Sequence, residues 1–298
     1  MPVSPVAGKW TNQTITNINI IRMKYTRASV AACLSAVALT TAAAFAGTPE
    51  PVTTGKTVVL PPTAPAPSDA VTGTLGLNYN THFISYGQDI WQAGTDFGDN
   101  ATFNPSFELN FDLGHGFKAI LGTWWDVNKN APSTLGDDVI QEIDVWGGFS
   151  YTVNKWSFSL LYQEWMYASQ SERIVDFKIA YADGLFNPSL LLHGRVDGAE
   201  PFDTGLVTVL GIAPGTKAGP VTFTFPIQVA ADTDGFHGGD GGFSFASAGV
   251  TASVPLKFMP GDWALNAGLV YYHTEKSVFP TNPDSDFLTG TIGLGLTF

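Results

Sequence analysis

Ionisable and amide side chains in this chain recur at every second position. The sets are Asn78, Asn80 and His82; Glu108 and Asn110; Glu142 and Asp144; Asp176 and Lys178; and His193, Arg195 and Asp197. A spacing of two puts each set on one face of an extended strand, because successive side chains of a strand point to opposite sides. The intervening positions are mostly apolar. Charged groups on an enclosed face must be paired or hydrated. Such faces can line a watery passage whose acidic bias favours cations or neutral solutes over anions. They can equally lock together as a salt-bridged plug that conducts nothing. The sequence leaves both readings open.

Other chemistries find little support. The chain has five His, namely His82, His115, His193, His237 and His273, and no Ser or Thr near them forms a recognisable nucleophile motif. There is no G-x-S-x-G, no P-loop and no dinucleotide fingerprint. Asp232-Thr-Asp234-Gly235 has the start of a calcium loop but lacks the third alternating ligand, and Phe243 stands where a closing Glu would be. Gly238-Gly239-Asp240-Gly241-Gly242 does not match the calcium nonapeptide repeat. The reading is therefore no catalytic residues, no metal and no cofactor. The remaining acidic positions, Asp89, Asp96, Asp99, Asp137, Asp138, Glu200, Asp203, Asp232, Asp234 and Asp240, are expected in flexible, solvated surface loops.

The elements that must position the alternating sets are strands. Charged residues are only 13% of the chain, against a usual share of about 25%. From Val71 onward the sequence reads as twelve strand-like segments, near 72–84, 101–112, 117–127, 139–152, 155–167, 171–182, 188–197, 204–213, 220–231, 242–255, 262–275 and 286–298. Most are long enough to cross a bilayer when tilted, which takes about 9–11 residues. Connections alternate between long (85–100, 128–138, 232–241, 276–285) and short (113–116, 153–154, 183–187, 214–219), the asymmetry of outer-membrane barrels. The connections near Ala168 and Gly198 break the rule by being short. Trp156, Phe158, Trp165, Tyr167, Trp263, Tyr271 and Tyr272 fall near strand ends, where interfacial girdles would place them. The same apolar/polar alternation would also suit a soluble, one-sided β-sandwich.

Residues 23–46 read as a secretory signal. Lys24 and Arg27 precede an apolar run from Ala28 to Ala44, and Ala44-Phe45-Ala46 supplies an A-x-A cleavage site. Residues 1–22 then lie upstream of a natural initiator at Met23, and Pro-rich 47–70 is an extended periplasmic leader ahead of a barrel domain at 71–298. Cys33, the one cysteine, lies in the signal, so no disulfide is available after cleavage. Of the 14 Lys and Arg, Lys9, Arg22, Lys24 and Arg27 precede the cleavage site, leaving ten against 26 acidic residues and a net charge of −16. Nucleic acid is excluded as a partner for want of a basic stripe.

Two resemblances extend this reading. The last segment, Leu288-Thr-Gly-Thr-Ile-Gly-Leu-Gly-Leu-Thr-Phe298, resembles the closing strand of outer-membrane β-barrels, in which a terminal Phe belongs to the assembly signal. Thr81-His-Phe-Ile-Ser-Tyr-Gly87, Gly122-Thr-Trp-Trp-Asp126 and Glu142-Ile-Asp-Val-Trp-Gly-Gly148 together resemble a family of uncharacterised Gram-negative outer-membrane barrels. That family opens with an S-x-Y-x-x-R-G-like strand end, and Tyr86 here stands where Arg is usual. The resemblances imply an all-β, transmembrane antiparallel barrel of about twelve strands in the bacterial outer membrane. Its partners would be lipid, the barrel-assembly machinery through Phe298, and small solutes. The expected function is passive diffusion of small neutral or cationic solutes. A non-conducting structural or surface-interaction barrel is the alternative, followed by a membrane lipid hydrolase and a soluble sandwich.

Overall fold

Period-two alternation dictates the architecture. A strand with one apolar face and one small or polar face buries neither alone, and a ring of such strands gives each face its own solvent. The computed structural model describes residues 70–133, 135, 138–167, 170–198 and 202–298, and the segments read from sequence as an upstream start, a secretory signal and a Pro-rich leader lie almost wholly outside the described residues.

Twelve strands form the ring. They are β1 (Val71–Asn80), β2 (Thr102–Gly114), β3 (Phe117–Val127), β4 (Ile140–Val153), β5 (Trp156–Tyr167), β6 (Gln170–Tyr181) and β7 (Ser189–Asp197). Then follow β8 (Gly205–Ile212, continued by Gly215–Ala218), β9 (Val221–Thr224 with Ile227–Asp232), β10 (Gly242–Pro255), β11 (Asp262–Thr274) and β12 (Asp286–Thr297). The break in β9 falls at Phe225-Pro226, where Pro has no N–H to offer the ladder. Every strand pairs antiparallel with its sequence neighbour.

Closure comes from β12 against β1, in register from Thr74↔Thr297 to Asn80↔Thr291. The terminal Phe298 extends this seam by exchanging backbone hydrogen bonds with Gly73, at 2.7 and 3.0 Å. No edge is left to pair with another chain. The fold class is all-β, a closed antiparallel barrel of the outer-membrane type. A sandwich of two sheets is excluded by the single continuous ring.

Burial follows the alternation. Leu121, Phe149, Leu160, Leu210 and Ile292 are each more than half exposed on the outer face. A belt of this kind is what lipid, not water, would cover. On β12 the outward set is Leu288, Ile292 and Leu296, while Phe287 and Gly293 are buried inside.

One end of the barrel carries tight turns. At Gly114-His115-Gly116 all three residues have positive φ, and a Cβ on Gly116 would come within 2.2 Å of the Thr152 carbonyl oxygen. Outward aromatic pairs rim this end, Phe117 with Tyr151 at 4.4 Å and Trp156 with Tyr181 at 4.7 Å between centroids.

The other end corrects three expectations. β1 stops at Asn80 instead of running to residue 84, and 83–91 enters the lumen as a small hairpin, Ile84–Ser85 against Gln88–Asp89. Segment 232–241 is solvated only in part: Asp234 and Asp240 are exposed as expected, while Asp232, Phe236 and His237 are buried inside the barrel mouth. Trp165, Tyr167 and Tyr272 are not girdle residues. Strand parity decides this: the exposed positions of β5 are Trp156, Leu160 and Tyr162, so the odd-numbered Trp165 and Tyr167 face inward.

Candidate functional site

The lumen has two unlike halves. Toward the turn end many inward positions carry small side chains, among them Gly76, Ser106, Ser150, Ser159, Thr251, Ser253 and Gly295, beside the larger Lys118, Ile120 and Lys178. The small positions are half-buried, so they surround space instead of filling it. Toward the loop end large inward side chains pack against the described loop residues. Trp124, Trp165, Phe245 and Ile174 project from the wall, and Phe83, Tyr86, Phe236 and Phe279 descend from the loops, all at 1% exposure or less.

The hairpin is held at several points. Phe83 stacks on Trp124, with centroids 5.1 Å apart, and Tyr86 lies on His193 at 3.9 Å. Trp91 Nε1 donates to Asp126 at 3.1 Å. Asn282 acts as a clasp: its amide oxygen accepts from Asp89 N at 2.8 Å, and its amide nitrogen donates to Gly87 O at 2.9 Å. Gly87 sits at φ +96°, and a Cβ there would meet Phe245 and Phe279 at 2.8 Å. Tyr86 itself adopts φ +42°, a conformation uncommon for non-glycine residues.

The twelve residues expected on the lumen divide as follows. Asn80, Glu108, Glu142, Asp144, Asp176, His193 and Arg195 are buried on inward faces, and Asn78, Asn110 and Lys178 are half-buried there. His82 is buried but lies in the loop after β1, where Nε2 meets Gly94 O at 2.9 Å and the ring stacks on Phe287. Asp197 is a correction. A bulge opposite Arg173 and Ile174 inserts one residue, flips the parity of β7, and leaves Asp197 exposed in an ion pair with Arg173 at 2.5 Å.

Buried polar groups sort into matched and unmatched sets. Arg195 Nε donates to Glu172 at 2.8 Å and Nη1 to Phe236 O at 2.6 Å, so this guanidinium ties the 233–241 loop to the wall. Its Cζ lies 4.0 Å from the Phe236 ring centroid, a cation–π contact. His193 Nδ1 meets Asp176 at 2.6 Å, and Gln163 donates to the other oxygen of Asp176 at 2.6 Å. Asp126 accepts from Thr102, Asn104, Asn128 and Trp91. Glu108 accepts from Trp146 Nε1 at 3.0 Å and from Asn110. Glu142 and Asp144 have no donor on any of their four carboxylate oxygens.

Loop groups feel the same enclosure. Burial pushes the Asp89 carboxyl above the ordinary range, partly offset by the Gly94 backbone N–H and by His82. Burial also holds the His237 imidazole below its usual value, against the opposing pull of Asp232, to which it is hydrogen-bonded. No three His, Cys, Asp or Glu side chains among the described residues converge as a metal site.

Sequence reasoning missed Asp126, Glu172 and Gln163; of these only Glu172 shares a strand and inward parity with residues it named, Asp176 and Lys178. It also missed Tyr86, Trp91, Phe236 and Asn282. No periodic signal marks these, because they act from loops.

No family model and no curated protein matches the sequence. Among solved structures the chain is similar to the KdgM porin (TM-score 0.45, 10% identity, 76% of this chain and 99% of that one). It is similar to the NanC porin (0.43, 8%, 76% and 99%). It is also similar to LpxR from Salmonella typhimurium (0.40, 9%, 76% and 100%). The fold assignment rests on the closed ring of strand pairs described above.

Proposed function

We propose that this chain is a bacterial outer-membrane barrel whose passage is shut at the loop end by its own inward-folded loops. One observation carries the reading: Phe83 and Tyr86 are buried against Trp124 and His193 on the barrel wall, inside the ring. The lipid-facing belt and the contrast between long loops and tight turns support the membrane setting. With both termini at the periplasmic side, the filled half faces outward from the cell. In this conformation the barrel serves the envelope as a closed, non-conducting element. The reading assigns no catalytic role to the Thr81–His82 hydroxyl–imidazole contact at 2.8 Å, and Phe298 is the proposed contact with the assembly machinery.

A second reading is a channel for small neutral or cationic solutes that opens when the hairpin withdraws. The small Gly, Ser and Thr lining of the turn-side half favours it, since a purely structural plug would need no vestibule. Planar-bilayer recording of the purified protein at neutral pH tests the first reading. No steady conductance is expected. Steady single-channel currents from the unmodified protein would overturn it in favour of the second.

A further inference from the structure

Glu142 and Asp144 stand at consecutive inward positions of β4, both fully enclosed, with Asp126 and Trp124 opposite on β3 and Trp165 opposite Asp144 on β5. Their neighbours are provided for. Asp126 has four donors, Glu172 has Arg195, and Asp176 has His193 and Gln163. This pair has none. Two ionised carboxylates side by side in a dry interior repel each other and forfeit their hydration. Their i, i+2 placement on one face of the strand puts the two carboxyls within reach of a shared hydrogen bond, which requires that one of them carry a proton.

The enclosure of the pair depends on the hairpin. Tyr86, buried and with no partner for its hydroxyl, reaches toward Asp144 and Asp176 from the loop side. Tyr167 on β5 faces Glu142 and Glu172. Arg195 is engaged with Glu172, and His193, when protonated, with Asp176. When the hairpin leaves, water reaches Glu142 and Asp144 and both can ionise freely.

We infer that insertion of the 83–91 hairpin is linked to uptake of one proton by the Glu142–Asp144 pair, so that acid shuts the barrel and alkali loosens it. The proton comes from solvent as the hairpin closes, forms a carboxyl O–H that donates to the neighbouring carboxylate, and returns to solvent on opening. The inference rests on the plugged-barrel reading for its setting, but not on whether the barrel conducts.

Hydrogen exchange of backbone amides 83–91, corrected for the intrinsic pH dependence of exchange, provides the test on the full chain in detergent or lipid. For one linked proton, protection should fall by roughly tenfold per pH unit across the titration of the pair. The double variant Glu142→Gln/Asp144→Asn should keep the hairpin protected and lose this slope. Asp89→Asn, which alters the one acidic group on the hairpin itself, should leave most of the slope in place. Equal protection of the wild-type hairpin from pH 5 to pH 9 would overturn the inference, as would an unchanged slope in the double variant. Should that variant fail to fold, seen as lost heat-modifiable migration, the single variants Glu142→Gln and Asp144→Asn, set against Asp89→Asn, carry the same test: each should flatten the slope, and an unchanged slope in both would overturn the inference. Steady conductance with a pH-linked hairpin would refute the plugged reading and leave this linkage standing.

Discussion

Tyr86 lies on His193, with ring centroids 3.9 Å apart, and this contact joins a loop to the middle of the barrel wall. The imidazole is held from behind by Asp176 and flanked by Trp165 at 5.3 Å. The phenol therefore meets a surface fixed in advance, and the hairpin is seated by packing more than by charge.

Tyr86→Ala should unseat the hairpin. Truncating a buried aromatic costs about 3–5 kcal/mol, less whatever strain the φ of +42° relieves. Exchange protection of residues 83–91 should collapse while the strands stay protected. If the protein conducts when opened, currents should appear in planar bilayers in this variant first.

Arg195→Met should damage the barrel mouth more than any surface substitution. It leaves Glu172 buried without its cation and frees the Phe236 carbonyl, a loss of about 3–5 kcal/mol for a broken buried pair. The unfolding temperature, followed by heat-modifiable gel migration, should drop. Arg173→Met, which breaks the exposed pair with Asp197, should change it by less than about 1 kcal/mol.

The loop at 233–241 should respond to pH in the sense opposite to the hairpin. His237 is held below its usual value by burial, so its neutral form is favoured in the packed state. That stability is present above the unfolded value near 6.5 and is lost as pH falls through the lower value of the packed state. Exchange protection of 233–241 should therefore decline in acid, and His237→Phe should remove the decline.

Gly87→Ala should weaken the same seat as Tyr86→Ala by a different route. The new methyl meets Phe245 and Phe279 at 2.8 Å and forces a side chain into a backbone conformation at φ +96°. Loss of protection confined to 83–91 and its clasp at Asn282 is the expected result. An unchanged hairpin would show that the loop can shift to accept the methyl.

Removing Phe298 tests assembly. Its ring is half exposed, 6.2 Å from Phe107, and its backbone completes the seam with Gly73. Deletion should reduce the heat-modifiable, membrane-inserted fraction in cells. Normal yield would argue that the β1–β12 seam alone directs closure.

Strand positions were legible because lipid and lumen impose opposite demands on adjacent residues. The segments read at 117–127 and 242–255 coincide with observed strands. Parity also carried more than was taken from it. The even numbering that placed Asp176 inside places Glu172 inside as well, and odd numbering on β5 puts Trp165 in the lumen and not in a girdle. Asp197 went astray because a bulge changes parity without leaving a sequence mark.

By itself, then, the sequence determined the ring: twelve alternating segments, their lipid-facing sets, and closure through a strand ending at Phe298. Period two is a local property, and it survives whatever the loops do. Whether the ring is open was decided only in three dimensions. Ser85, Tyr86, Phe236 and Asn282 read as loop residues, and nothing periodic tells a loop that points to solvent from one that folds inward. Wall residues far away in the chain settle that choice. His193 and Trp124 provide apolar surface, Asp126 accepts from Trp91, and the inward-folded loops together fill the mouth of the barrel.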